Sequence, residues 1–149
     1  MDLNFGKKYK DFTKEVKDFC KKYKGIHFID SSKVPLSGSF KSGEIKMTRS
    51  DWQKILIEKG YFARSIPSEY GGYGGESDII KSRIIAEEFA KSKIPPPMGG
   101  QGIDMLVPTL LELGTEEQKQ KYIKPTLHGE IIWCQGYSEP NAGSDLASL

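Results

Sequence analysis

Near the start of the chain, apolar side chains recur at alternating steps of four and three: Phe5, Tyr9, Phe12, Val16, Phe19 and Tyr23. Such steps return to one side of a 3.6-residue turn, so the spacing predicts an amphipathic helix with a single packing stripe. Lys7, Lys8, Lys10, Asp11, Lys14, Lys17, Asp18, Lys21 and Lys22 fill the other side. A run of lysines invites a nucleic-acid or membrane reading. Acids are interleaved, however, and the stripe suits packing on a core, so a solvated helix face is the better reading.

Residues 25–49 have no helical period and read as a long connection, with a short hairpin around 37–43. Connections this long tend to line a site or a partner surface, but nothing in this one is chemically specific. A second helix follows. Ser50 and Gln53 stand at capping-box spacing, Trp52, Ile55, Leu56 and Lys59 continue the pattern, and Gly60 ends it. The stretch IPSEYGGYGGE, at 66–76, forces a tight non-helical path. A third helix is predicted from a cap at Ser77 to about Ser92, before PPPMGGQG breaks the chain. A fourth, apolar helix covers 103–113, with Gly114 as its stop and Pro108 implying a kink or a late start. Thr115 and Gln118 make a second capping box for a short helix through Ile123, closed by Pro125. The character then changes: EIIWCQ, at 130–135, is a β-branched and aromatic run fit for a strand. The layout is mainly α, a helical domain over 1–129 followed by the first strand of something else over 130–149.

Composition narrows the classes. A length of 149 residues suits one domain, and 37% apolar with 28% charged residues is the balance of a soluble globular protein. No apolar run approaches the roughly 18 residues that cross a bilayer. The opening MDLNFGKKYKDF lacks a signal-peptide core, and its acids argue against a transit peptide, so a cytoplasmic location is expected. A net charge of +2 does not imply nucleic acid. Cys20 and Cys134 make no metal spacing and read as reduced, mostly buried thiols.

Few positions offer chemistry. The glycines of YGGYGG could let amides approach an anion, but the Lys-Ser/Thr of a P-loop is missing and no strand precedes them, so a turn between helices is the better reading. His27 and His128 are isolated, with no ligand or triad spacing around them. Glu87 and Glu88 are adjacent on a helix and point apart. Met98 and Met105 flank the glycine-rich break and suit an acyl-chain pocket or ordinary core filling. No catalytic residue and no metal ligand emerges. The last stretch, WCQGYSEPNAGSDLASL from Trp133 to Leu149, is different. Its small residues leave room for a bulky flat or phosphorylated ligand, and Ser138, Ser144 and Asp145 supply polar ends. Composition alone equally supports a strand-to-turn transition with an Asx turn at Asn141.

SEPNAGSD preceded by WCQGY resembles the flavin-contacting signature of the acyl-CoA dehydrogenases. The match holds at Gly136, Ser138, Glu139, Pro140, Ala142, Gly143, Ser144 and Asp145. It departs at Tyr137, where an aliphatic is usual, and at Asn141, where glycine is usual; neither change removes a main-chain donor. IPSEYGGYGG is similar to the family's PxEYGGxG loop, and ELGTEEQKQKYIKPTLHGE to the segment leading into its first strand. The likeness covers nearly all of the chain past about residue 50.

The resemblance implies the N-terminal helical domain of such an enzyme, followed by the first strand of a truncated β-barrel domain. Family members use FAD to desaturate the α–β bond of an acyl-CoA thioester: a glutamate base takes the α-proton and flavin N5 takes a hydride from the β-carbon. By motif position, Ser138 would hydrogen-bond near flavin N5 and O4. Gln135, Gly136 and Tyr137 would contact the ring mainly through their backbones. Gly143 and Ser144 belong to the same cofactor-binding set, with Ser144 where the phosphates and the thioester ligand meet. Gln101 and Met105 would line the acyl pocket. The base and the remaining flavin contacts normally lie in later segments, some from a neighbouring subunit, and Glu139 occupies the binding motif rather than the base position. The chain alone is therefore expected to be inactive. Implied partners are an acyl-CoA, electron-transferring flavoprotein as acceptor, and further subunits of a homo- or hetero-tetramer. An acyl-CoA oxidase or a nitroalkane-oxidising relative is the nearest enzymatic alternative, and a non-catalytic helical assembly module the alternative of another class. WCQGYSEP, with its early tryptophan, looks more like bacterial members acting on branched, aromatic or sterol-derived acyl groups than like the straight-chain mitochondrial enzymes.

Overall fold

Helices dominate because each apolar stripe finds a partner. The computed structural model describes residues 6–29, 45–136, 138–140 and 143. Among them, five α-helices run in order: α1 Lys7–Lys22, α2 Arg49–Glu58, α3 Ile79–Ser92, α4 Val107–Leu113 and α5 Glu116–Leu127. No helix among the described residues is long and apolar enough to cross a membrane.

The stripe of α1 packs as its spacing predicts: Phe12, Val16, Phe19 and Cys20 are buried, while Phe5 lies outside the described residues. Its partners are Trp52 and Leu56 of α2, Tyr61, and Ile85 and Phe89 of α3. Phe19 is the hub, with ring centroids 4.9 Å from Tyr61, 5.7 Å from Trp52 and 5.9 Å from Phe89. Edge and offset contacts of this kind add about 0.5–1.5 kcal/mol per pair beyond the area they bury. A second core gathers Ile57, Tyr70, Val107, Leu110, Ile123 and Leu127. Helix α2 divides its face between the two, Leu56 entering the first and Ile57 the second.

Several helix ends differ from the expected ones. The box that starts α2 is Thr48 with Asp51: Thr48 Oγ1 accepts from the Asp51 amide at 3.0 Å, and the Asp51 carboxylate accepts from the Thr48 amide at 3.3 Å. The spacing of Ser50 and Gln53 misled because both lie inside the helix, where Gln53 is fully buried. Asp78, not Ser77, caps α3, its Oδ1 accepting from the Ile80 and Lys81 amides at 3.1 and 3.0 Å. These bonds to the charged form hold its carboxyl below the usual range. The Thr115–Gln118 box of α5 is as expected. That helix does not close at Pro125, however, and runs on to Leu127 with the proline inside. Burial of Ile123, Thr126 and Leu127 holds the last turn despite the missing donor.

Pro108 shows its effect one turn early. Residues Gly102–Leu106 form a π-helical turn, in which the Val107 amide reaches back to the Gly102 carbonyl. Proline clashes with the carbonyl four residues before it, and the wider turn moves that carbonyl aside before α4 begins at Val107. The ends of the long connection meet in a two-residue parallel pair, β1 His27–Phe28 against β2 Lys46–Met47. The hairpin expected at 37–43 lies outside the described residues. The run 130–135, expected to be a strand, is a bend followed by chain without a ladder among the described residues. A strand requires a neighbour as well as β-prone side chains, and its propensity survives only as an alternation of faces.

Candidate functional site

Helix α5 ends at a tight turn that launches the motif-bearing segment. His128 caps the helix and Gly129 follows at φ +68. A side chain at Gly129 would be strained there and would also meet Met98 Sδ at 2.9 Å. The Pro125 carbonyl, exposed to no helical donor at position 129, accepts from the Glu130 and Ile131 amides instead. Beyond the turn Trp133 is half-buried, while Ile132 and Cys134 point outward. Cys134 is thus an exposed thiol, against the expectation of two buried ones; Cys20 is buried as expected.

Gln135 then meets the π turn. The Gln101 side-chain amide donates to Gln135 Oε1 at 2.7 Å, and Gln135 Nε2 lies 3.3 Å from Met105 Sδ. Three residues named from sequence, two of them 34 and 30 positions from the third in the chain, share one exposed patch. Gly136, Ser138 and Gly143 are exposed. A Cβ added at Gly136 or at Gly143 would meet nothing within 4 Å, so the main chain there is open to a flat ligand. With the exposed Ser138, this leaves an uncovered stretch at the start of the motif. Tyr137 and Ser144 lie outside the described residues.

Behind the patch, Met98, Gly99, Gly100, Gln101, Ile131 and Trp133 contribute to a small cavity of about 130 Å³. The loop carrying Met98 is tied down by Gln53, which accepts from the Met98 amide at 2.8 Å and donates to the Leu127 carbonyl at 3.0 Å. Sequence reasoning took Gln53 for a cap; the available signal was an uncharged polar residue next to Trp52 and three before Leu56, on the side of the helix that packs. His128 is mostly buried, with Nδ1 3.6 Å from Glu130 Oε1, an oxygen that Lys54 also reaches at 3.2 Å. Burial holds the imidazole below its ordinary range, the Glu130 charge opposing in part.

The YGGYGG loop cradles no anion. The amides of Gly71, Gly72, Tyr73, Gly74 and Gly75 all donate to carbonyls within 63–68, which leaves none of them to bind a phosphate. Tyr70 anchors the loop by donating to Glu116 at 2.8 Å, and that carboxylate pushes the phenol up to about 12. Glu87 pairs with Arg83 at 2.8 Å and Glu88 with Lys91 at 3.1 Å, and Lys91 also reaches Glu87 at 3.8 Å, so both acids are engaged in surface ion pairs along α3. Among the described residues no three His, Cys, Asp or Glu side chains gather to hold a metal ion.

The sequence model of the acyl-CoA dehydrogenase N-terminal domain matches residues 7–130. The chain belongs to the acyl-CoA dehydrogenase family. Acyl-CoA dehydrogenase IpdE1 of Mycolicibacterium smegmatis is 37% identical to it over 114 residues, covering 76% of this chain and 29% of the relative. The solved ChsE4–ChsE5 complex from Mycobacterium tuberculosis aligns at TM-score 0.57 and 25% identity, over 100% of this chain and 35% of that one. A structure described as the Tcur3481–Tcur3483 steroid ACAD aligns at TM-score 0.54 and 28% identity, covering 100% and 36%. This acyl-CoA dehydrogenase chain thus spans about a third of the length of these relatives.

Proposed function

We propose that this chain forms the helical domain, residues 1–129, and the opening of the β-domain, residues 130–149, of an FAD-dependent enzyme that desaturates acyl-CoA thioesters between the α and β carbons. The convergence of Gln101 and Met105 from the π turn with Gln135 from the motif segment carries this reading. It brings the residues assigned to the acyl chain against the residue that opens the flavin set. A bound flavin would supply the acceptor for the hydride that leaves the β-carbon. The chain's own part is to hold and orient. Gln135, Gly136 and Tyr137 would present main-chain groups to the ring, Ser138 would donate a hydrogen bond near N5 and O4, and Gly143 and Ser144 would continue the grip toward the phosphates. Fixed donors at that edge stabilise the charge that the ring gains on reduction. Met105, with its pliable thioether, and Gln101 border the acyl group.

The α-proton requires a base, which we assign to a glutamate outside this chain. The isolated polypeptide should therefore neither hold FAD tightly nor turn over substrate. Electron-transferring flavoprotein is the proposed acceptor, and a homo- or hetero-tetramer the proposed assembly, in keeping with the two-component relatives. The steroid relative and the WCQGYSEP motif both favour a bulky, sterol-derived or branched acyl group. Fluorescence titration with FAD and dye reduction with several acyl-CoAs test this reading on the chain and on the complete flavoenzyme. We expect substrate-dependent dye reduction in the complete enzyme only. Turnover by the chain alone would overturn the division of labour, and no bleaching of the complete enzyme by any acyl-CoA would overturn the function. Rapid reaction of the reduced flavin with oxygen would favour the oxidase alternative.

A further inference from the structure

Trp133 is clasped from two sides. Its indole Nε1 donates to Thr126 Oγ1 at 2.9 Å, and its ring stands edge-on to Tyr122 with centroids 5.6 Å apart. Thr126 is 2% exposed, and its own hydroxyl donates to the Tyr122 carbonyl at 2.6 Å. With its proton so directed, the hydroxyl is left as an acceptor aimed at the indole. Beside both lies Gly102, the first residue of the π turn, where an added Cβ would sit 2.4 Å from Trp133 Cδ1 and 3.0 Å from the Thr126 methyl. Gly102 is not at a positive φ, so space alone requires glycine there. The indole therefore wedges between the last turns of α5 and the start of the turn that carries Gln101 and Met105.

The segment it belongs to has no ladder among the described residues to set its register. Alternate residues of an extended chain face opposite ways, and a slip of one residue would turn every inward side chain outward. Trp133 and Gln135 stand two apart and both face the π turn, whereas Ile132 is 86% exposed and Cys134 is exposed. We propose that Trp133 is a positioning residue, one that sets the register of residues 131–136 on α5 and so holds Gln135 against Gln101 and Met105. The register stands on the geometry alone; that the segment then grips a flavin rests on the function proposed above.

The test is nuclear Overhauser contact in this chain, between the Gln135 side-chain amide and the Met105 methyl. We expect a cross-peak in the wild type. Trp133→Ala should abolish it with helical circular dichroism retained, and Gly102→Ala should abolish it while the tryptophan is still present. Trp133→Phe, which keeps a ring but no donor, should weaken it. Ile132→Ala, on the outward side, should leave it unchanged. Should Trp133→Ala fail to fold, Trp133→Phe takes its place beside Gly102→Ala. A cross-peak of wild-type intensity in both deciding variants would overturn the proposal. Its loss supports the register whatever the flavin does. Unchanged FAD affinity of the complete flavoenzyme carrying Trp133→Phe, alongside a weakened cross-peak, would count against the flavin reading instead.

Discussion

The two cores of this domain are built on different terms. The first, around Phe19, is aromatic and closed, with rings from α1, α2, α3 and Tyr61 meeting edge to face or offset. The second, around Ile123 and Leu127, is aliphatic, and polar groups border it: Gln53 and Thr126 are buried and each holds a neighbouring segment in place. Every candidate site residue that the structure describes and brings together lies on the rim of the second core. A packed aromatic core resists deformation because its rings interlock. A rim defined by a few directed hydrogen bonds can instead present exposed backbone in a set geometry. The first core supplies stability, and the second places a surface.

The strongest way to break that contrast is to empty the first core. Phe19→Ala should cost about 3–5 kcal/mol in urea unfolding, the range for deleting a buried aromatic ring, and should leave the Gln135–Met105 contact intact in whatever fraction stays folded. A loss below about 1 kcal/mol would show that the core is looser than its ring contacts suggest.

Gln53→Ala strikes the second core at its polar joint. It leaves the Leu127 carbonyl and the Met98 amide without their partner, at about 1–3 kcal/mol for each buried group left unsatisfied. Unlike Phe19→Ala it should also release the Met98 loop, read as faster hydrogen exchange at the Met98 amide. Equal exchange in the two variants would dissolve the distinction between the cores. Farther along the rim, Ser138→Ala in the complete flavoenzyme should weaken flavin binding or shift its potential, since a hydrogen bond to a charged group contributes about 1.5–3 kcal/mol. An unchanged flavin spectrum and potential would remove Ser138 from its assigned role.

The same contrast explains what the sequence disclosed. The α1 stripe was legible because a solvated helix must put its apolar residues on one side, and the structure buries Phe12, Val16 and Phe19 as the spacing requires. Gln135, Ser138, Gln101 and Met105 were named through family likeness, and the structure brings Gln101, Met105 and Gln135 together. Gln53, Thr126 and Gly102 were not legible, because their roles depend on partners distant in the chain. Gln53 serves carbonyl and amide groups 74 and 45 residues away, and no local pattern encodes that. Local rules also ranked adjacent caps wrongly. Ser50–Gln53 and Thr48–Asp51 have the same spacing, and burial of Gln53 chose between them.

Smaller effects should separate by cap and by pH. Thr48→Ala removes the box that starts α2, the helix both cores share, and should cost about 1 kcal/mol; a neutral result would mean that packing alone starts the helix. Acidification then reads the two regions in different windows. His128, on the rim of the second core, is held neutral by burial and titrates below its ordinary 6.5. The unfolded chain binds its proton first, so the stability His128 contributes is present above pH 6.5 and is lost as pH falls through its folded value. Asp78, capping α3 beside the first core, is held ionised below its ordinary 3.8. Its contribution is present above that pH and disappears only in stronger acid. Urea unfolding between pH 7 and pH 5 should therefore lose part of its slope in His128→Gln but not in Asp78→Asn, and below pH 4 the order should reverse. If Asp78→Asn also flattened the milder window, the two titrations would be coupled through the fold, and the cores would not be the separate units that their packing describes.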